Sequence, residues 1–284
     1  MNLEKTGTPG TLIGSGRVAL VLEYNGAEYH GWQSQKSGHP TVQQHLEIAL
    51  SRVANCPVEV VCAGRTDAGV HASHQVIHFN TTVTRSQRSW VMGANANLPA
   101  DISVRWAGNV TENFHARFSA RSRRYRYVIY NNPVRSALFR EGLTWNYRPL
   151  DEQKMASAAL HLVGRHDFSS YRAAECQAKS PVREIEFLNV DRFGDFIIID
   201  IQANAFLHHM VRNIAGVLMS IGAGINEESW SKEVLLAKDR AAGGITAPPF
   251  GLYLINVGYP CGEVPEFDPG PSFVKPYYFN SAHK

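Results

Sequence analysis

Two runs of β-branched and aromatic residues, Ile185 to Val190 and Phe196 to Ala203, flank the turn signal Phe193-Gly194-Asp195. That spacing predicts a hairpin, and a hairpin commits the sheet around it to antiparallel pairing. Arg17 to Tyr24 alternates, with Val18, Leu20, Leu22 and Tyr24 on one face, and reads as a half-buried strand. Further strands are expected at Val58 to Cys62, Gln75 to Phe79, Ile102 to Val110, Arg123 to Tyr130 and Leu252 to Val257. Helical patterns lie between them. Thr41 with Gln44 forms a capping box ahead of Val42, Leu46, Ala49, Leu50 and Val53, and Thr84 with Gln87 repeats it before Trp90, Val91 and Ala94. Asp151 can cap a helix carrying Met155, Ala159, Leu162 and Val163, while His208 to Ile221 is amphipathic and Glu227 to Ala237 follows. Hairpins mixed with helices, in place of strict strand–helix alternation, predict an antiparallel α+β architecture.

The second half repeats the element order of the first, and 284 residues suit two domains of about 150 residues each. We expect two similar halves, residues 16–112 and 113–260, with mixed or antiparallel sheets flanked by helices. Tails at 1–15 and 261–284, rich in Gly, Pro and polar residues, should be loose. The net charge of +3 is too small to argue for a polyanionic partner. Its distribution says more, since Arg117, Arg121, Arg123, Arg124 and Arg126 crowd one stretch, the footprint that a nucleic-acid contact leaves and that a solvated charged strand face leaves equally. Cys56, Cys62, Cys176 and Cys261 fit neither a zinc ribbon nor a disulfide framework, so reduced thiols in the cytoplasm are expected. The N-terminal residues lack the pattern of a signal peptide, and Met210 to Ile221 has about half the length a membrane span needs.

The segment Ala63 to Ala72, AGRTDAGVHA, leaves a β-rich run and enters a loop bearing Gly64 and Gly69. Glycines permit backbone angles that other residues avoid, so the polar side chains between them can be held at unusual angles. Arg65 and Asp67 stand two apart, where a guanidinium can pair with and orient the carboxylate. The same pair could equally brace a turn.

R-T-D-A-G-V-H resembles the signature of the TruA-type tRNA pseudouridine synthases, whose catalytic aspartate corresponds to Asp67. Y-N-G-x-x-Y-x-G-W-Q (Tyr24 to Gln33), F-H-A-R-F-S-A-x-x-R-R-Y-R-Y (Phe114 to Tyr127), N-A-F-L-H-H-M-V-R-N (Asn204 to Asn213) and G-L-Y-L (Gly251 to Leu254) resemble further motifs of that family, in order. The resemblance runs from about Arg17 to Tyr259. It implies a two-half fold with the active cleft between the halves, and a homodimer acting on uridines 38, 39 and 40 of the tRNA anticodon stem-loop. It implies Asp67 as nucleophile, Arg65 as its orienting cation and occupant of the space left by a flipped nucleotide, and Tyr125 as the active-site tyrosine. Arg212, four residues after His208 on the expected helix, would lie near the aspartate, and Leu252 would line the uracil pocket. Some of Arg123, Arg124, Arg126 and His208 would contact RNA phosphates. The isomerisation exchanges no electrons or groups with the outside, so no cofactor is expected, and the chain has neither a dinucleotide fingerprint nor a Walker loop. Whether the carboxylate attacks C6, attacks C1′ or transfers a proton stays open.

Two rivals come from other classes. His71, His74 and His78 could bind a metal, but alternation sends His74 and His78 to one face without His71, and no metal is expected. A non-catalytic RNA-binding module would explain the arginines and aromatics, yet not an Asp in a Gly-framed loop.

Overall fold

The computed structural model describes residues 11–36, 38–267 and 270–271. These fall into two compact units: one runs to Arg121 and takes in the residues from Leu254 on, the other is Ser122–Tyr253. In the first unit β1 (Leu12–Ile13) pairs antiparallel with β5 (Arg85–Ser86). The main sheet runs β6 (Ile102–Asn109), β2 (Gly16–Tyr24), β4 (His71–Thr81), with β3 (Val61–Cys62) also on β4. Leu254–Gly258 of the last strand, β12 (Leu252–Gly258), lies beside β4 too. Helix α1 (Val42–Ala54) begins where Thr41 caps it, its side chain accepting from the Gln44 amide. Helix α2 (Gln87–Asn97) departs from expectation, because Ser86 and not Thr84 is the cap, accepting from Ser89 N at 3.0 Å. Arg85 and Ser86 stay extended to pair with β1, so the helix cannot start earlier. Residues 1–10 and 272–284, read as parts of the two tails, lie outside the described residues, whereas Ile13 is buried.

The expectation of a half-buried β2 fails: Val18 through Leu22 are all fully buried. Register explains how. Leu20 faces Ile77 and Val18 faces Phe79, whose ring meets Trp90 of α2 at 5.3 Å. Ala19 and Val21 point the other way, beside His78 and Val76. That second face is covered by irregular chain. Phe267 lies 5.6 Å from the His74 ring with the Arg105 guanidinium 5.1 Å from its centroid, and Phe114 and His115 stand against His78. Arg17 ties down part of this cover, donating to the Glu112 and Phe114 carbonyls at 2.7 and 2.6 Å. A strand pattern records its own neighbours only, so a cover supplied by remote loops leaves no period-two trace.

In the second unit the antiparallel order is β7 (Ser122–Asn131), β11 (Phe196–Ala203), β10 (Val182–Phe193), β9 (Gly164–Asp167), with β8 (Thr144–Asn146) parallel to β7. The expected hairpin is present, with Phe193 paired to Phe196 across Gly194-Asp195. Asp151 caps α3 (Glu152–Leu160) by accepting from the Gln153 and Lys154 amides. This helix packs on β10 and on α4 (Met210–Gly222), whose apolar residues are largely buried; α5 (Trp230–Ala237) follows. The chain is therefore α+β, as expected. Among the described residues no helix is long and apolar enough to cross a membrane.

The buried histidines of β4 make stability depend on pH. Burial, then the Arg105 charge, holds His74 down at about 4, and burial, then His115 and Arg17, does the same for His78. Both ring nitrogens of His74 are buried without a hydrogen-bond partner among the described residues. Folded values below the unfolded 6.5 mean that the unfolded chain binds protons first as pH falls. Stability is thus complete above about 6.5 and declines toward about 4, by up to roughly 3 kcal/mol for the buried His74. Urea midpoints should fall between pH 7 and pH 4.5, and His74→Leu should flatten that fall; a midpoint unchanged over this range contradicts the account.

Candidate active site

The Asp67 loop is held at nearly every residue from Ala63 to His71. Ala63 N donates to Val76 O at 2.8 Å, continuing the pairing of β3 with β4. At Gly64 the partner strand is replaced by one side chain. The Gln75 amide donates to Gly64 O at 2.6 Å and accepts from Gly64 N at 3.4 Å, so a buried carboxamide stands in for a peptide group. Next, Thr66 O accepts from Trp32 N at 3.0 Å, and Thr66 Oγ1 lies 2.9 Å from the Tyr24 hydroxyl. Gln75 Nε2 also donates to that hydroxyl, at 3.4 Å. Val70 N donates to Asp67 O at 3.1 Å, closing a turn with Asp67 at its first position and Gly69 (φ 77°) at its third. Of the two glycines expected to supply unusual backbone angles, Gly69 alone has a positive φ. Gly64 is fixed by Gln75.

A second loop, Asn25 to Gln33, presses on the first. Gly69 N donates to Tyr29 O at 3.3 Å and Gly26 N donates to His71 Nδ1 at 3.0 Å. A Cβ on Gly26 would stand 2.0 Å from Val70 O, and one on Gly31 (φ 87°) would stand 2.7 Å from Thr66 O, so neither position admits a side chain. This second loop is anchored in turn. Tyr29 donates its hydroxyl to Asp101 Oδ1 at 2.6 Å, and the Gly31 and Trp32 carbonyls accept from the Val42 and Gln43 amides at the start of α1. Burial, then Asp101, pushes the Tyr29 phenol well above its ordinary range, so it stays a donor.

Within this frame Asp67 is half-buried and Arg65 is exposed. Among the described residues no hydrogen bond or ion pair joins Arg65 to Asp67; the Arg65 charge opposes the effect of burial on the Cys62 thiol, which burial pushes up to about 12. His71, His74 and His78 serve three separate places: His71 accepts from Gly26 N, His74 packs on Phe267, and His78 Nδ1 accepts from Ala116 N.

The remaining candidates lie in the second unit. Tyr125, buried on β7, meets Phe206 edge-on at 5.0 Å. Pleating puts Arg124 and Arg126 on the opposite face, where both reach the buried Asp200. Arg124 binds both carboxylate oxygens, at 2.7 and 2.8 Å, and Arg126 Nε donates to Oδ2 at 2.8 Å. Arg123 shares the face of Tyr125 and donates to Asn204 O at 3.0 Å. Helix α4 starts at Met210, not His208, because His209 adopts φ 61° and breaks the helix. The expected helical alignment of His208 with Arg212 is therefore corrected. Exposed His208 lies before the helix, its carbonyl accepting from Ala173 N. Arg212, in the first turn, is fixed to the 245–252 stretch, donating from Nε to Ala247 O at 2.9 Å while its own carbonyl accepts from Ala247 N. Leu252, buried, opens β12. Asn213, the residue after Arg212, is buried and joins Tyr171 O, Arg240 and Thr246 Oγ1.

From sequence, Tyr24, Gly31, Thr66 and Asn213 stood within strand and motif patterns and Gln75 at the start of a strand, none with a supporting role. For Gln75 a signal existed, a carboxamide directly before the apolar pair Val76-Ile77 of the expected strand. Gly31→Ala tests the frame. The strained backbone and the close oxygen should cost about 1–3 kcal/mol in urea unfolding. Turnover should fall as well, because Thr66 and Asp67 must shift together; unchanged stability and turnover would contradict the contact.

Comparison with known proteins follows the same residues. The profile of the family described as tRNA pseudouridine synthase matches residues 20–119 and 158–260, which include the Asp67 loop, its supporting loop and α4. A protein named tRNA pseudouridine synthase A from Pseudomonas aeruginosa is 60% identical over 262 residues, 92% of each chain. One of the same name from Coxiella burnetii is 55% identical over 259 residues, 91% of this chain and 99% of its own. Another, from Legionella pneumophila, is 54% identical over 263 residues, 91% and 98% of the two chains. The motifs, the α+β fold and these matches agree: the chain belongs to the tRNA pseudouridine synthase family.

Proposed function

We propose that this enzyme, a pseudouridine synthase, isomerises uridines 38, 39 and 40 in the anticodon stem-loop of tRNAs, with Asp67 as the catalytic carboxylate. The reaction breaks the bond from C1′ to N1, turns the uracil over and joins C5 to C1′. The C5 proton leaves and N1 gains one, so the product is an isomer of the substrate and no outside reactant enters. A carboxylate can serve as the nucleophile that holds the fragments during rotation. The observation that carries this reading is the pinned loop. A half-buried Asp on backbone held at Gly64, Thr66 and Val70 is presented in one orientation, as covalent or proton-transfer catalysis requires.

The other roles follow from the family likeness. Tyr125 stacks on the uracil or relays the C5 proton, Leu252 lines the base, and Arg212 supports the ionised carboxylate. Arg65 enters the space left by an extruded nucleotide, where unstacking costs a few kcal/mol, and its exposure on the same loop supports this reading. Arg123 and His208 are better disposed toward phosphate than Arg126, which is buried with its Nε on Asp200. The enzyme acts in the cytoplasm as a homodimer, and reads RNA by shape in order to treat neighbouring positions alike.

Tritium at uridine C5 reports the reaction directly. Wild type should release label from an anticodon stem-loop uridine. Asp67→Ala should release it at least about a thousandfold more slowly while binding the tRNA within a fewfold of wild type. Equal release by both proteins would remove Asp67 from the chemistry. Binding without release by wild type would make the chain a binder.

A further inference from the structure

The arginine-rich stretch from Arg117 carries a feature that the proposed chemistry does not use. Phe118 is 76% exposed, yet the backbone around it is fixed from several sides. His115 Nδ1 accepts from both the Arg117 and Phe118 amides at 3.2 Å, His115 N donates to Ser119 Oγ at 2.9 Å, and Ser119 N donates to His115 O at 2.8 Å. Ala116 is held on both sides, its amide donating to His78 Nδ1 and its carbonyl accepting from the Tyr259 hydroxyl at 2.6 Å. The His115 ring stacks on Phe118 at 4.3 Å and 29°, and the Arg117 guanidinium lies 5.5 Å from its centroid.

This arrangement holds only while His115 is neutral at Nδ1. Burial, then the Arg17 charge, lowers its pKa, which favours that neutral form. The ring is thus presented rigid to solvent, backed by an imidazole, with the exposed cations Arg117 and Arg121 in the same short segment. In sequence the stretch from 111 to 123 carries Glu112 as its one carboxylate against Arg117, Arg121 and Arg123, and Glu263 accepts from Thr111 N. An aromatic whose backbone is already ordered loses little freedom on binding, and a flat ring beside cations suits a π-faced, negatively charged ligand better than an apolar protein surface.

We propose that Phe118, with His115 behind it and Arg117 beside it, is a stacking platform for an unpaired base of the tRNA, separate from the Asp67 loop in sequence and in role. The base lies on the exposed part of the ring, and the Arg117 guanidinium reaches the adjoining phosphate. The proposal rests on the reading of the chain as an enzyme of tRNA.

The test measures tritium release from C5-labelled tRNA for Phe118→Ala, Phe118→Leu and Phe118→Trp. Loss of one stacked base should raise KM about tenfold in the Ala and Leu variants with kcat within twofold, and Trp should restore it. Arg117→Gln should lessen the salt dependence of binding by about one phosphate contact, which Phe118→Leu should leave alone. A wild-type KM in Phe118→Leu overturns the platform. So does a Trp variant as weak as the Ala variant, or a changed sedimentation mass with KM unaltered, which would assign Phe118 to a second copy of the chain. If wild type releases no label, filter retention of the same tRNA separates the two claims. Retention weakened by Phe118→Ala keeps the platform while the isomerase reading falls, and equal retention sinks both.

Discussion

Everything proposed for Asp67 depends on a backbone-to-backbone approach that only glycine allows. Gly31 and Gly26 let one loop lie directly on another, with the Thr66 and Val70 carbonyls where Cβ atoms would otherwise be. Because the contact is between main chains, it has no long side chain to bend, and the position of Asp67 follows from those of α1 and β4. Side-chain hydrogen bonds complete the grip, with Gln75 and Tyr24 reaching Gly64 and Thr66 from beneath. Tyr24 and Thr66 are both buried, so breaking their bond leaves a polar group without water to replace its partner.

The sheet that supplies β4 has to be rigid for this to hold, and it is buried on both faces. Helix α2 covers one face through Trp90. The other is closed by chain that has no regular structure, around Phe114 and Phe267. The same irregular cover exposes Phe118 on a fixed backbone, so one piece of chain both closes the core and presents a ring to solvent. In the second unit, α4 plays the corresponding part. Asn213 and Arg212 bind the 245–247 stretch that leads into Leu252, and the candidate residues there inherit their positions from one helix.

Much of this was legible before the structure. The hairpin at Gly194-Asp195, the caps at Thr41 and Asp151 and the strands at Arg17, Ile102 and Arg123 are local events, and local residues announce them. Asp67 was singled out through motif likeness; its period and neighbours alone left open that it is one half of a turn-bracing pair. What escaped were contacts set by tertiary structure. Ser86 displaced Thr84 as a cap because β1, far back in sequence, needed Arg85 extended. His209 broke a helix that the apolar spacing alone would have extended to His208. The cluster of arginines hid opposite assignments, with Arg124 and Arg126 turned inward to Asp200 while Arg117 and Arg121 are exposed.

The central claim is that the Asp67 loop is already rigid before RNA arrives, and amide hydrogen exchange in the free protein tests it. The Trp32, Gly69 and Val70 amides donate to Thr66, Tyr29 and Asp67 carbonyls and should exchange nearly as slowly as the amides of β4, through global unfolding. Exchange of these three amides several orders of magnitude faster than β4 would mean that the loop opens on its own. The orientation of Asp67 would then have to be created by the bound RNA.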